Sequence, residues 1–230
     1  QNIIQSLISN GVYDDTLIVL NSDHGETLYE HDCYFDHHGL YECNLKVPLI
    51  MRLPTKLPKG KEIKSFTSHA DIVPTVLDLL DIETDIQHDG KSLMIHLDSH
   101  DDELEKEFYL TECTWMRKHG WRTPEWKLII ALEPDFHFKP EVELYNHKDD
   151  PNELNNLVEL RPDMVTKLTK RMEDWLALRK KETGMDSPIF DQGDWHGFEG
   201  VGSYKSSEQA YESLYLGDAG MAKRLQEKSR

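Results

Sequence analysis

"TLIVLNSDHGETLYEHDCYFDHHGLYECNLKVPLI", Thr16 to Ile50, places four histidines and six carboxylates between two apolar runs. The first run, "TLIVLN", is too short for a helix and too uniformly apolar for a half-exposed strand, which is the pattern of a buried parallel strand. "LKVPLIMRLP", Leu45 to Pro54, reads as the next buried segment, with Pro48 pushing it towards a sheet margin or a bulge. Upstream, Ile3, Ile4, Leu7 and Ile8 recur at helical spacing and Gly11 closes that helix. Helix, turn, buried strand and charged loop together are an α/β signature.

The charged loop sits where such a fold puts its chemistry. In open α/β sheets, ligands gather at the carboxyl edge of the strands, and "SDHGE" follows "TLIVLN" at that edge. Asp23 and His24 are neighbours that would point apart in a regular strand, but a turn opened by Gly25 lets both aim at one ion. A carboxylate oxygen is a hard ligand, and an imidazole nitrogen also suits Mn or Zn. His37 and His38 follow a second turn. With an unperturbed pKa near 6.5, a histidine beside a scissile oxygen can hold an anion or protonate a leaving group; read alone, the pair is more readily a solvent-facing loop cap. Lys46 is either an anion ligand or a strand residue with a snorkelling stem.

Further along, "SFTSHADIVPTVLDLLDI" reads as a helix capped by Asp71, with Pro74 in its first turn and Val73, Val76, Leu77 and Leu80 on its inner face. "EFYLTEC", "WKLIIALE" and "VELYN" read as strands separated by charged turns, which makes a small antiparallel sheet. Met164, Val165, Leu168, Met172, Trp175 and Leu176 form one stripe of an amphipathic helix from Arg161 to Glu182 that packs on that sheet. From Gly184 the chain is rich in Gly, Ser, Asp and aromatic residues, and reads as a surface extension ending in a short helix near "DAGMAKRLQEK".

Composition narrows the partners. The chain has 230 residues, 38% hydrophobic and 30% charged, and its 26 Lys plus Arg against 43 Asp plus Glu give a net charge of -17. With a sequence pI of about 5.0, a general affinity for nucleic acid or anionic lipid would oppose the protein's own field. Cys33, Cys43 and Cys113 are odd in number and lack metal-finger spacing, so free thiols are expected. No apolar stretch reaches the roughly 18 residues of a membrane span.

"SDHGETLYEH", "FDHHGLYE", "LKVPLIMRLP", "SHADIVPTVLDLLDI", "DGKSL", and then "WRTPEWKLI" with "VELYNHKDDPNELNNL", taken in that order from Val12 to Trp175, resemble the second half of the sulfatase family within the alkaline phosphatase superfamily. The resemblance implies a sulfuric ester hydrolase that cleaves a sulfate monoester with a divalent metal and a formylglycine made from Cys or Ser in a C/S-x-P-x-R motif. Asp23 matches the family's metal-binding aspartate. His24 stands where many members have Asn, which resembles the branch with phosphonate monoester hydrolases and choline sulfatases. The implied metal is calcium, with Mn or Zn as the alternatives that His24 introduces. Counting back from Tyr41 and Glu42 puts His37 at the family's cationic position, as the sulfate-contacting or leaving-group residue; Lys46, in its reading as an anion ligand, is the further expected substrate-binding residue.

"CTWMR", Cys113 to Arg117, has Cys and Arg at nucleophile spacing, but Trp115 replaces the proline and the segment follows the metal motif; no S-x-P-x-R occurs. The expectation is therefore that the nucleophile lies upstream of Gln1, in an N-terminal half that would be this chain's partner, and that the isolated chain is catalytically silent. The fold expectation is the last part of a large mixed sheet flanked by helices, residues 1–105. A small antiparallel-sheet subdomain with its helix follows at 106–183, and a surface-wrapping extension at 184–230. A phosphodiesterase or phosphonate monoester hydrolase on the same scaffold is the alternative, and a non-catalytic metal-binding or interaction module, admitting an oligomer, is the alternative of another class.

Overall fold

The computed structural model describes residues 2–33, 36–98, 107–114, 116–133, 135 and 137–191. In chain order the elements are α1 (Asn2–Ser9), β1 (Ile18–Asn21), the one-turn α2 (Glu42–Leu45), β2 (Leu49–Arg52), α3 (Ile72–Leu79), the one-turn α4 (Ile95–Asp98), β3 (Phe108–Glu112), β4 (Lys118–Arg122), β5 (Trp126–Ala131), β6 (Val142–Asn146) and α5 (Pro162–Thr183). They form two compact units, one from Gln1–Ser22 with Pro48–Glu107, the other from Asp23–Val47 with everything from Phe108 onward. The terminal helix expected near "DAGMAKRLQEK" lies outside the described residues, as does Trp115 of the rejected nucleophile motif.

In the first unit, β1 pairs with β2 from Ile18 opposite Arg52 to Asn21 opposite Leu49, and the pairing is antiparallel. The parallel neighbour expected for β1 is therefore corrected within this chain. A uniformly apolar run reports burial on two faces but not strand direction, and here Leu20 and Ile50 remain 52% and 61% exposed. Pro48 stands directly before β2, where its missing N–H costs no ladder bond. Gly11, with φ of +69°, ends α1 as expected.

The start of α3 differs from the sequence reading. Ser68, not Asp71, opens the turn: Asp71 accepts from the Ser68 N–H at 2.9 Å and from the Lys91 N–H at 2.8 Å, so its carboxylate faces back along the chain and across to a neighbouring loop. That buries Asp71, Thr75 and Leu79 and leaves Val73 and Leu80 exposed. The Thr75 hydroxyl donates to Asp71 O at 2.6 Å and accepts from Leu93 N–H at 2.9 Å, which turns the inner face of α3 towards residues 90–93.

The second unit is built on a four-stranded antiparallel meander in the order β3-β4-β5-β6. One of its faces carries Trp121, Trp126, Leu128 and Leu144 against Leu168 and Met172 of α5, with Met164, Val165, Trp175 and Leu176 around them. The stripe read from the sequence is the stripe that packs. The other face carries Ile129 and Tyr145 against Cys33, Leu40 and Tyr41. All three cysteines are free, and burial pushes the Cys33 thiol up to about 12.

β4 was missed as a strand because "KHGWR" looks like a charged turn. Every one of its residues is buried. Lys118 is neutralised by Asp135 at 2.5 Å and Glu143 at 3.3 Å, while a Cβ on Gly120 would lie 2.3 Å from Leu128 O, so only glycine lets β5 approach.

Candidate active site

The loop from Asp23 to Glu42 is closed by backbone bonds before any side chain acts. Gly25 N–H donates to Asn44 O at 2.8 Å, and a Cβ there would meet Cys43 O at 1.8 Å, so the turn that follows His24 requires glycine. Thr27 and Asp36 form a two-residue antiparallel bridge, N–H to O at 2.7 and 3.1 Å, reinforced by the Thr27 hydroxyl on Asp36 O at 2.6 Å. This pinch sets Glu26 beside His37. Glu26 Oε2 lies 3.7 Å from His37 Nδ1 and 4.0 Å from His24 Nδ1. The His24 and His37 rings stack with centroids 4.2 Å apart, and the His38 ring lies 4.3 Å beyond.

Asp23 and His24 do converge. The Asp23 carboxylate accepts from the His24 N–H at 3.0 Å through Oδ1, and its Oδ2 is 3.6 Å from His24 Nε2. Asp23 is 85% exposed at the side chain and His24 41%, so an ion could reach both from solvent. A hard oxygen and an imidazole nitrogen at that separation are a donor pair that fits a divalent cation. His37 is exposed and His38 buried. Lys46 is not in a strand: it caps α2, donating its N–H to Glu42 O at 2.8 Å, and its side chain is exposed. A snorkelling strand lysine is excluded by that position.

The far end of the loop is held by buried charge. Lys127 is fully buried, 2.9 Å from Glu42, 2.6 Å from Glu153, and donates to Leu40 O at 2.9 Å. Arg122 Nε donates to Glu42 Oε1 at 2.9 Å, Glu42 N–H donates to Glu153 Oε2 at 2.8 Å, and the Tyr41 hydroxyl donates to Glu143 at 2.8 Å. His147 lies 3.2 Å from Glu153, and His31 stacks on Tyr41 at 3.7 Å. His31, Asp32 and Glu153 all take positive φ without being glycine, a strain that persists only where surroundings over-determine it.

Among the described residues, three groups bring metal-ligand atoms together: His24–Glu26–His37, Asp36–His37–His38 and Glu42–His147–Glu153. The carboxylates of the third are already neutralised by Lys127 and Arg122, which leaves that group structural. Burial would raise the Glu42 pKa, but Lys127 and Arg122 overcome it and hold the group at about 2. Because that lies below the ordinary 4.5, Glu42 stabilises the fold above pH 4.5, and the contribution is lost as pH falls towards 2. The urea midpoint should drop across that window, and Glu42→Gln should flatten the drop.

The sequence reading singled out Asp23, His24 and His37, and the structure brings their side chains together on one exposed stretch of the loop. That reading missed Glu26 as the bridge between the histidines, although its place two residues after His24 was the available signal. His137, Lys127 and Glu153 carried no signal, since their partners lie far away in the chain.

Residues 29–182 match the family model described as N-sulphoglucosamine sulphohydrolase, C-terminal. The chain belongs to this sulfatase family. A Bacteroides thetaiotaomicron N-acetylglucosamine-6-O-sulfatase is 32% identical over 159 residues, covering 64% of this chain and 27% of the relative. Human arylsulfatase K is 28% identical over 181 residues, covering 74% and 33%. The solved structure of BT4656 with its substrate D-glucosamine-2-N,6-O-disulfate superposes with a TM-score of 0.64 at 27% identity, covering 79% of this chain and 38% of that one. The phosphonate monoester hydrolase of Agrobacterium radiobacter superposes with 0.61 at 26% identity, covering 78% and 38%. The chain thus spans about a third of the length of these relatives, and it is the C-terminal portion of the sulfatase family that it represents. No helix among the described residues is long and apolar enough to cross a membrane.

Proposed function

We propose that this chain supplies one wall of a sulfatase active site, for metal-dependent hydrolysis of a sulfate monoester. The observation that carries the reading is the exposed cluster of Asp23, His24, Glu26 and His37 on a loop pinned at Gly25, Thr27 and Glu42. Asp23 and His24 would hold the divalent cation, calcium first, with Mn or Zn admitted by the imidazole. Such an ion neutralises charge on the ester oxygens as the bond breaks. His37 faces the ester, contacting sulfate or protonating the departing alkoxide, with Glu26 holding its Nδ1 side. Lys46, whose ammonium has no ion pair or hydrogen bond among the described residues, binds the substrate's anionic periphery.

The nucleophile, a formylglycine, belongs to a segment outside residues 1–230, and the isolated chain should turn nothing over until that segment is supplied. Residues 1–105 would then complete the catalytic α/β domain and 106–183 form the sheet subdomain, while the extension expected at 184–230 lies for the most part outside the described residues. Sulfated amino sugars are the first substrates to try, since the N-acetylglucosamine-6-O-sulfatase and BT4656 are named for such substrates.

A phosphonate monoester or phosphodiester hydrolase is the second reading, favoured by the likeness to the Agrobacterium enzyme. A sulfate monoester and a phosphate diester each carry one negative charge on a tetrahedral centre, so rates on an aryl sulfate and an aryl phosphate diester, measured side by side with the complete enzyme, decide between the two. A module that binds metal without catalysis would fail on both substrates.

His37→Ala should slow esters with basic leaving groups by roughly a hundredfold, the low end for lost general acid catalysis, and activated aryl esters much less. Equal losses on the two substrate types would mean that His37 binds the anion and transfers no proton.

A further inference from the structure

Behind the exposed histidines stands a second arrangement that the proposed reaction does not use. The Asp36 carboxylate is 11% exposed and is shared between two buried imidazoles. Its Oδ1 accepts the His38 N–H at 3.0 Å and a short bond from His38 Nδ1; its Oδ2 lies 3.0 Å from His137 Nε2. An ionised carboxylate only accepts, so Nδ1 of His38 carries the proton in that bond, and His137 Nε2 stands where a proton on it would pair with Oδ2. Burial alone would raise the Asp36 pKa, but the hydrogen bonds from His137 and His38 outweigh it, and the group stays well below the usual carboxylate range.

His137 is itself immobilised. Its N–H donates to Asp135 Oδ1 at 2.8 Å, the Lys139 N–H donates to the same oxygen at 2.9 Å, and Asp135 is ion-paired with the buried Lys118 of β4. From that anchor a line of contacts runs outward: His137 to Asp36, Asp36 to His38, and the His38 ring against the ring of His37.

We propose that His137 and Asp36 are positioning residues for the reaction: His137 holds Asp36, Asp36 fixes the ring and tautomer of His38, and His38 is the fixed surface against which His37 takes its working orientation. The proposal rests on the reading of His37 as the residue that faces the ester. An exposed imidazole has a broad, nearly two-fold final torsion; Glu26 at 3.7 Å restrains one of its edges, and the His24 ring that stacks on it at 4.2 Å is itself exposed. A rigid ring at 4.3 Å restrains its face. Losing that restraint leaves binding intact and costs geometry in the transition state.

The test uses the complete enzyme. His137→Leu removes the grip on Asp36, and His137→Gln retains an N–H donor close to Nε2. The expected result is a kcat about tenfold lower for His137→Leu on an alkyl sulfate, with KM nearly unchanged, and most of that loss recovered in His137→Gln. Unchanged kcat in folded His137→Leu, or equal losses in the two variants, overturns the proposal.

Should His137→Leu not fold, ring 15N spectra of the wild-type histidines decide. Protonation of His38 on Nδ1 and of His137 on Nε2 is expected, with the His37 ring signals moved in His137→Gln; His38 protonated on Nε2 alone overturns the arrangement. Intact turnover in His37→Ala would instead bring down the functional reading. A crippled His37→Ala beside a normal His137→Leu removes the positioning role and nothing else.

Discussion

Lys127→Met is expected to destabilise the protein by roughly 3–5 kcal/mol, the usual cost of removing one partner from a buried charge cluster. Methionine fills the volume but leaves Glu42 and Glu153 facing each other with less positive charge between them, and it deletes the donor to Leu40 O. The loss is a large share of the roughly 5–15 kcal/mol that holds a domain folded. The urea midpoint of the variant against the parent measures it. Lys170→Met, which breaks only an exposed pair with Asp174 on α5, should leave the midpoint where it was. A Lys127→Met protein as stable as the parent would mean that the carboxylates find water or each other, and that the cluster does not clamp the loop.

Asp23→Asn is expected to remove most of the bound divalent metal and to lower kcat by at least about a hundredfold, since a Lewis-acidic ion contributes several kcal/mol to the transition state. The side chain keeps its size and its oxygen towards the His24 N–H, so the fold should survive and the loss can be assigned to the missing charge. Metal content by elemental analysis and kcat on an aryl sulfate, both on the complete enzyme, are the two readouts. Full metal occupancy with normal turnover would remove Asp23 and His24 from the metal site.

What could be read from the sequence divides along physical lines. α1, α5 and the strands β3, β5 and β6 were legible because each announces itself by local apolar periodicity, and α5 also by Pro162 at its start and Gly184 at its end. β4 was not, because its lysine and arginine are made tolerable by Asp135, Glu143 and Glu42, none of them near in sequence. The inner face of α3 was misjudged because Asp71 and Thr75 spend their polar atoms on other segments. In the site, Asp23, His24 and His37 stood out between two apolar runs, and the family resemblance gave them roles. The support beneath them did not stand out. Asp36 meets His137, and Glu42 meets Lys127 and Arg122, only once the sheet has formed.

The interleaving of the two units bears on how the molecule is made. Asp23–Val47 leaves one unit and joins the other, whose sheet begins at Phe108. Its anchoring bonds span 80 residues to Arg122, 87 to Lys127, 102 to Glu143 and 111 to Glu153. A ribosome therefore exposes the four histidines and their carboxylates well before it has synthesised anything to hold them, and at about 5–20 residues per second the wait lasts for seconds. During that interval the loop is an unguarded chelating peptide. Nascent chains stalled short of Glu153 should bind more adventitious transition metal per chain than the finished protein does.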